Sequence, residues 1–162
     1  MILFNRPKLA QTAYAIGFLS LAPLPVVADP NLSKNVIELT DNGSFNALTI
    51  FQGPISDSNT VRVVLSGDLN GAASTSFQPK PSWFSNLKPG TIEQRGNGHT
   101  AEFAVSGIGN LFAISQSGQS NLAAGKISGT MNQVSVIQSG QSNRASFSQT
   151  GNNNSIAISQ NM

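Results

Sequence analysis

The stretch Gln138-Ser-Gly140-Gln-Ser-Asn143-Arg-Ala145-Ser-Phe147-Ser-Gln149-Thr-Gly151-Asn-Asn-Asn154-Ser-Ile156-Ala-Ile158-Ser-Gln160 states one pattern twice, with Gly140, Asn143 and Gln149 answered by Gly151, Asn154 and Gln160. The period is eleven positions. Each unit has a Gly, an Asn at the third place after it, and a Gln at the sixth place after the Asn. Between Asn and Gln the chain alternates, and alternation over about seven residues is the mark of a half-buried strand. Upstream, the Asn position recurs at Asn132, Asn121 and Asn110, with His99 in the next slot. The Gly position recurs at Gly129, Gly118, Gly107 and Gly96. The +6 position holds Gln138, Ile127, Gln116 and Val105, and Gln94 lies one half earlier. Gln-Ser-Gly-Gln-Ser-Asn recurs at 116–121 and 138–143, so the full unit is a pair of these halves.

The alternation also fixes which face is inside. Positions +2 and +4 from each Asn are apolar in eighteen of twenty cases, the exceptions being Ser74 and Gly125. The charges Glu38, Arg62, Glu102, Lys126 and Arg144 all fall on the other face, and a one-residue slip would bury them. The four residues between strands must turn the chain, and Gly96, Gly107, Gly118, Gly129, Gly140 and Gly151 supply the positive φ that a turn needs. Strand, turn, strand, turn makes one coil of a flattened, all-β solenoid with two parallel sheets. Its coils are stacked about 4.8 Å apart.

Stacking whole coils lays like on like. The columns are Asn110–Asn132–Asn154, Asn121–Asn143 and Gln94–Gln116–Gln138–Gln160, with Gln149 in the remaining +6 slot. A buried amide is costly without partners. On an identical amide it can donate to one neighbour and accept from the other, and such ladders fix register.

The pattern runs backwards in weaker form. Asn35 and Asn46 keep the period, as do Asn59 and Asn70, with a two-residue slip near Gly53-Pro54. Phe77–Glu93, with Pro79, Pro81 and Pro89, fits no slot and reads as a loop or insertion. The expected organisation is a leader over 1–28, degenerate repeats over 29–76, an insertion over 77–93, and a regular block over 94–162. That gives ten halves: four, an interruption, then six. The fourth half is read from Asn70, with Ala72 and Ser74 inward.

The N-terminus reads as a secretory signal. Arg6 and Lys8 precede an apolar stretch over 9–21, then Pro23 and Pro25 break it, and Ala28 offers a small residue for cleavage. Removing it leaves 7 Lys+Arg and 7 Asp+Glu, a net charge of zero, so self-repulsion is weak. Ser, Asn and Gln together are 50 of 162 residues, while charged residues are 10%, which suits a polar repeat protein rather than a common enzyme fold. No Cys and one His exclude a thiolate site and a multi-histidine metal centre within one chain. Net charge of +2 gives no nucleic-acid footprint. No cofactor, metal or catalytic residue is expected. A ladder substitution is the expected role of His99. Trp83-Phe84 are expected to pack on the solenoid flank or to form a docking patch. Asp57 and Asp68 are turn residues that could also act as gatekeepers against premature stacking.

Gln-x-Gly-x-x-Asn-x-Ala-x-x-x-Gln, carried best by 138–149 and closely by 149–160, resembles the curlin repeat, the unit of curli amyloid fibres. The resemblance covers 94–162 well and 35–76 loosely. It implies passage across the outer membrane through a dedicated lipoprotein pore, a second curlin subunit as partner, and extracellular polymerisation supporting biofilm and adhesion. Independently, no cap is read after the last strand, and such an edge invites addition of the next molecule. The leading reading is therefore a secreted structural subunit of a functional amyloid. The alternatives are a monomeric solenoid adhesin, which regular outward Thr rows would favour, and a β-helix enzyme, which would need clustered carboxylates. The outward positions Leu111, Gln133 and Ser155 form no such row, and the strands over 110–160 carry no such cluster.

Overall fold

A computed structural model of the chain describes residues 11–16, 35–53, 57–72 and 87–162. The described residues form eleven strands and no helix. They are β1 (Gln11–Ile16), β2 (Val36–Asn42), β3 (Ala47–Gln52), β4 (Thr60–Ser66), β5 (Thr91–Asn97), β6 (Thr100–Ile108), β7 (Leu111–Gln119), β8 (Leu122–Thr130), β9 (Gln133–Gln141), β10 (Arg144–Asn152) and β11 (Ser155–Asn161).

Odd and even strands segregate. One sheet runs β1-β3-β5-β7-β9-β11 and the other β10-β8-β6-β4-β2. Every pairing is parallel except β1 with β3, which is antiparallel and sets Gln11 opposite Gln52 and Ile16 opposite Ala47. Each even strand and the odd strand after it make one coil, giving a β-solenoid of about five turns with a spacing of about 22 along the chain. Leu111 opposite Gln133 opposite Ser155 shows the regular register.

The irregular part is resolved by the same register. Val36 sits opposite Thr60, and the Asn59 N–H meets Asn35 Oδ1 across a spacing of 24, so the first coil carries two extra positions before β4. Thr60 sits opposite Thr100, and the His99 N–H meets Asn59 Oδ1 across a spacing of 40, so the second coil contains an insertion. The insertion does not fall between halves. Gly71 donates its N–H to Asn110 O, and Gly90 donates to Phe112 O, so these two occupy adjacent slots of one rung and the extra chain leaves between them. The expectation that Ala72 and Ser74 supply the inward residues of the fourth half is therefore corrected. Gly90 and Ile92 take those slots, and Ile92 is fully buried beside Ile114 in β5, inside the stretch read as insertion. Ser74, Pro79, Pro81, Trp83 and Phe84 lie outside the described residues.

The core is the thin space between the sheets. It holds Leu48, Ile50, Val61, Val63, Ile92, Phe103, Phe112, Ile114, Val134, Val136 and Phe147, with Ile37, Leu39, Ile156 and Ile158 half-buried at its two ends. Gly125, an exception to the apolar pattern, is explained by volume. A Cβ there would meet the Phe147 ring at 2.4 Å, so the slot is filled by its neighbour. Phe103 lies edge-on to Phe112 at 5.0 Å between centroids, and 6.5 Å from Phe147. The outer face is not wholly open: Leu111 and Ala113 point away from the core yet are buried, and Leu87, from the end of the insertion, packs against them.

Candidate functional site

The coils bring the amides into three continuous columns. In the first, Asn46, Asn70, Asn110, Asn132 and Asn154 are stacked: Asn70, Asn110, Asn132 and Asn154 each donate both backbone N–H and Nδ2–H to the Oδ1 of the rung before, at 2.9–3.2 Å. The second runs Asn35, Asn59, His99, Asn121, Asn143. The third is Gln52, Gln94, Gln116, Gln138, Gln160, each Nε2 donating to the next Oε1 at 2.8–3.0 Å. The two kinds of column are oppositely directed: asparagines donate towards the N-terminal end, glutamines towards the C-terminal end. Asn59, Asn70, Asn110, Asn121, Asn132 and Asn143 are wholly buried.

His99 fits the asparagine column by using both ring nitrogens. Nδ1 accepts from the Asn121 N–H at 3.3 Å, and Nε2 lies 3.0 Å from Arg95 O, which fixes the proton on Nε2. Burial pushes the His99 pKa below its ordinary value, opposed in part by the carbonyls of Arg95 and Gly118.

The turn glycines do two things at once. Gly118 has φ of 101°, and a Cβ on it would sit 2.1 Å from Gly140 O. The glycines from Gly67 to Gly140 are thus set by conformation and by the closeness of neighbouring coils, and Gly151, in the last coil, by conformation with φ of 107°. A second left-handed position lies immediately before the column residues from Asn46 onward; it is glycine at Gly98 and Gly109, with φ of 69° and 66°, and varies in type elsewhere. Phe45, Ser58, Leu69, Ser120, Met131, Ser142 and Asn153 occupy it with φ of 54–59°. Such conformations cost roughly 1–2 kcal/mol in non-glycine residues.

The fourth column departs from the expectation. In the even sheet the +6 slot reads Asp41, Leu65, Val105, Ile127, Gln149 by register. Gln149 is not a rung within the chain: its neighbour is Ile127, it is 4% exposed, and neither its Oε1 nor its Nε2 has a hydrogen-bond partner. Asp41, at the other end, accepts from Asn46 Nδ2 at 2.7 Å and from Gly43 N–H at 3.1 Å. It takes the place a preceding Asn rung would have.

On the outer face, Glu38, Arg62 and Glu102 are register neighbours across β2, β4 and β6, and Arg62 Nε bonds Glu38 at 2.7 Å. The pair is exposed, and Glu38 holds the Arg62 pKa above its ordinary value. The turn aspartates join coils: Asp68 Oδ1 accepts from Ser44 N–H at 2.9 Å, and Asp57 N–H donates to Asn97 Oδ1 at 3.0 Å. Among the described residues no group of three or more His, Cys, Asp or Glu is placed to hold a metal ion.

Two segments, 90–118 and 129–161, match the family model of the curlin associated repeat. The match covers less than half of the chain and supports the resemblance of these two segments to curlin repeats. Searches of curated proteins and of solved structures return no match. The first matched segment opens at Gly90, where the interrupted fourth half resumes.

Proposed function

We propose that this chain of curlin repeats is an exported structural subunit that stacks on copies of itself into an extracellular, curli-like amyloid fibre, contributing to biofilm matrix and adhesion. The observation that carries this is the C-terminal end of the solenoid. Among the described residues nothing pairs with the outer edges of β10 and β11, and both present backbone groups and inward amides in the register of the coils beneath. Such an edge templates a further parallel strand. A contact that joins one end to the other does not close on itself, so repetition makes a filament.

Export is part of the same reading. The leader over 1–28 contains β1, which occupies the outer edge of β3 at the N-terminal end. Cleavage after Ala28 takes β1 away and leaves β3 open for a strand of another copy. The proposed partners are a second copy, a second curlin subunit and the outer-membrane pore. No enzymatic role is proposed. A monomeric adhesin would use an ordered outward face, and the register neighbours Leu111, Gln133 and Ser155 do not supply one.

The test is fibre formation by the exported protein, followed by thioflavin fluorescence, sedimentation and fibre diffraction. A meridional reflection near 4.8 Å, about the spacing of paired strands, is expected from strands stacked along the fibre. A monomer that persists for days at micromolar concentration would refute the proposal.

A further inference from the structure

The ends of the solenoid hold four of the five unpaired buried side-chain atoms found among the described residues. The five among the described residues are Gln52 Oε1, Ser135 Oγ, Asn143 Oδ1, and both amide atoms of Gln149. Ser135 lies on β9, within its sheet; the other four atoms lie at the first and last coils, on β3, on β10 and just before β10. They are complementary in kind. Gln160 Nε2, at the C-terminal end, is the donor that would continue its column to an acceptor such as Gln52 Oε1. Asn143 Oδ1 is the acceptor that Asn121, one rung earlier in its column, offers to the next asparagine.

The fourth column adds what the ladders lack. It is apolar through its three middle coils, Leu65, Val105 and Ile127, and polar only at Asp41 and Gln149. An amide buried with no partner inside its own chain costs stability. Nothing in a solitary solenoid offsets that cost at Gln149.

We infer that the C-terminal end receives the N-terminal end of a second copy in a single register, β2 stacking on β10 and β3 on β11, with Gln149 of one copy donating to Asp41 of the next. This rests on the fibre reading above and on β1 having left β3. Continuing the regular stacking by one rung sets position 41 against 149, 35 against 143 and 52 against 160. Gln52 Oε1, Asn143 Oδ1 and Gln149 Nε2 then acquire partners, the last in the Asp41 carboxylate, which as a pure acceptor leaves Gln149 Oε1 unchanged. A two-fold contact between like ends does not do this, because it sets Gln149 against another C-terminal strand running the opposite way. Nor does joining at an inner coil, which would set Gln149 against Leu65, Val105 or Ile127. Asp41 and Gln149 thus select both the direction and the position of addition.

The test compares elongation on preformed seeds for the exported wild-type chain and four variants, each seeded with its own fibres. Gln149→Glu opposes two carboxylates across a dry contact and is expected to slow elongation about tenfold or more. Adding Asp41→Gln restores a donor–acceptor pair, and the rate should return to within about threefold of wild type, as coupled residues do in a double-mutant cycle. Gln149→Leu alone should also slow elongation, and Gln149→Leu with Asp41→Leu should recover it by making the column apolar throughout. The leucine pair keeps the test decisive if the Glu variant misfolds. Wild-type chain that does not elongate refutes the fibre reading itself. Wild-type elongation with unaffected single variants, or with double variants no faster than singles, refutes the Asp41–Gln149 register alone.

Discussion

Asn110→Ala and Asn143→Ala remove the same side chain from equivalent slots, yet the structure gives them different consequences. Asn110 is wholly buried and joined on both sides. Its Nδ2 donates to Asn70 Oδ1 at 3.0 Å and to Gly129 O at 2.9 Å, and its Oδ1 accepts the N–H and Nδ2 of Asn132 at 3.0 and 3.1 Å. Truncation leaves the buried Asn132 N–H without an acceptor, which costs about 1–3 kcal/mol, and forfeits two or three further bonds worth about 1 kcal/mol each net. The sum is about 3–6 kcal/mol. Asn143 donates through Nδ2 to Asn121 Oδ1 and Ser139 O, but its own Oδ1 is already unpaired. Its truncation orphans no buried donor and should cost about 1–2 kcal/mol. Urea unfolding of freshly prepared soluble chain, at a concentration too low for assembly, gives both values by linear extrapolation. Hydrogen exchange locates the loss, since the Asn132 amide should lose protection only in Asn110→Ala. Equal costs for the two variants would refute the reasoning, because they would show that the amide acts within its own coil and not through the rung above.

Gly118→Ala forces a side chain into φ of 101° with its Cβ 2.1 Å from Gly140 O; the two neighbouring coils must separate, and a loss of about 2–4 kcal/mol in the same urea assay is expected. Met131→Asn should raise stability by about 0.5 kcal/mol, read as a small increase in Tm, because Asn tolerates the left-handed φ of 56° and Met131 is 59% exposed and gives up little packing. His99 carries a pH dependence: its folded pKa is lowered, so its contribution is fully present above the unfolded value of 6.5 and declines as pH falls below that, where the unfolded chain takes up a proton that the folded chain resists. His99→Asn should remove this slope; an unchanged slope between about pH 5 and 7 would assign it to other groups.

The inward face, the turn glycines and the coil length are legible in the sequence because each repeats a residue type the geometry demands. The fourth half is not legible in the same way. Ala72 and Ser74 suit the alternation as well as Gly90 and Ile92 do, and only stacking against Phe112 and Ile114 separates them. Apart from Gly98 and Gly109, the left-handed residue before the column positions from Asn46 onward is invisible because side chains as unlike as Phe45, Leu69, Met131 and Ser142 tolerate the cost at exposed corners. Gln149 misleads in the opposite sense. It matches the repeat better than Ile127 or Val105, but whether an amide is a rung depends on its neighbour one coil away, and here that neighbour is apolar.

That last point bears on how a repetitive chain keeps one register at all. Identical rungs strengthen every stacking arrangement equally, so a slip by one coil would cost the ladders only a rung at each end. The irregular slots discriminate. Gly125 accommodates the Phe147 ring, and a shift by one coil would set Phe147 against Phe103 with no such void. The lengthened first coil and the insertion that leaves after Gly71 would be set out of phase with the regular coils. The departures from the repeat therefore carry the specificity, while the repeat itself carries the strength.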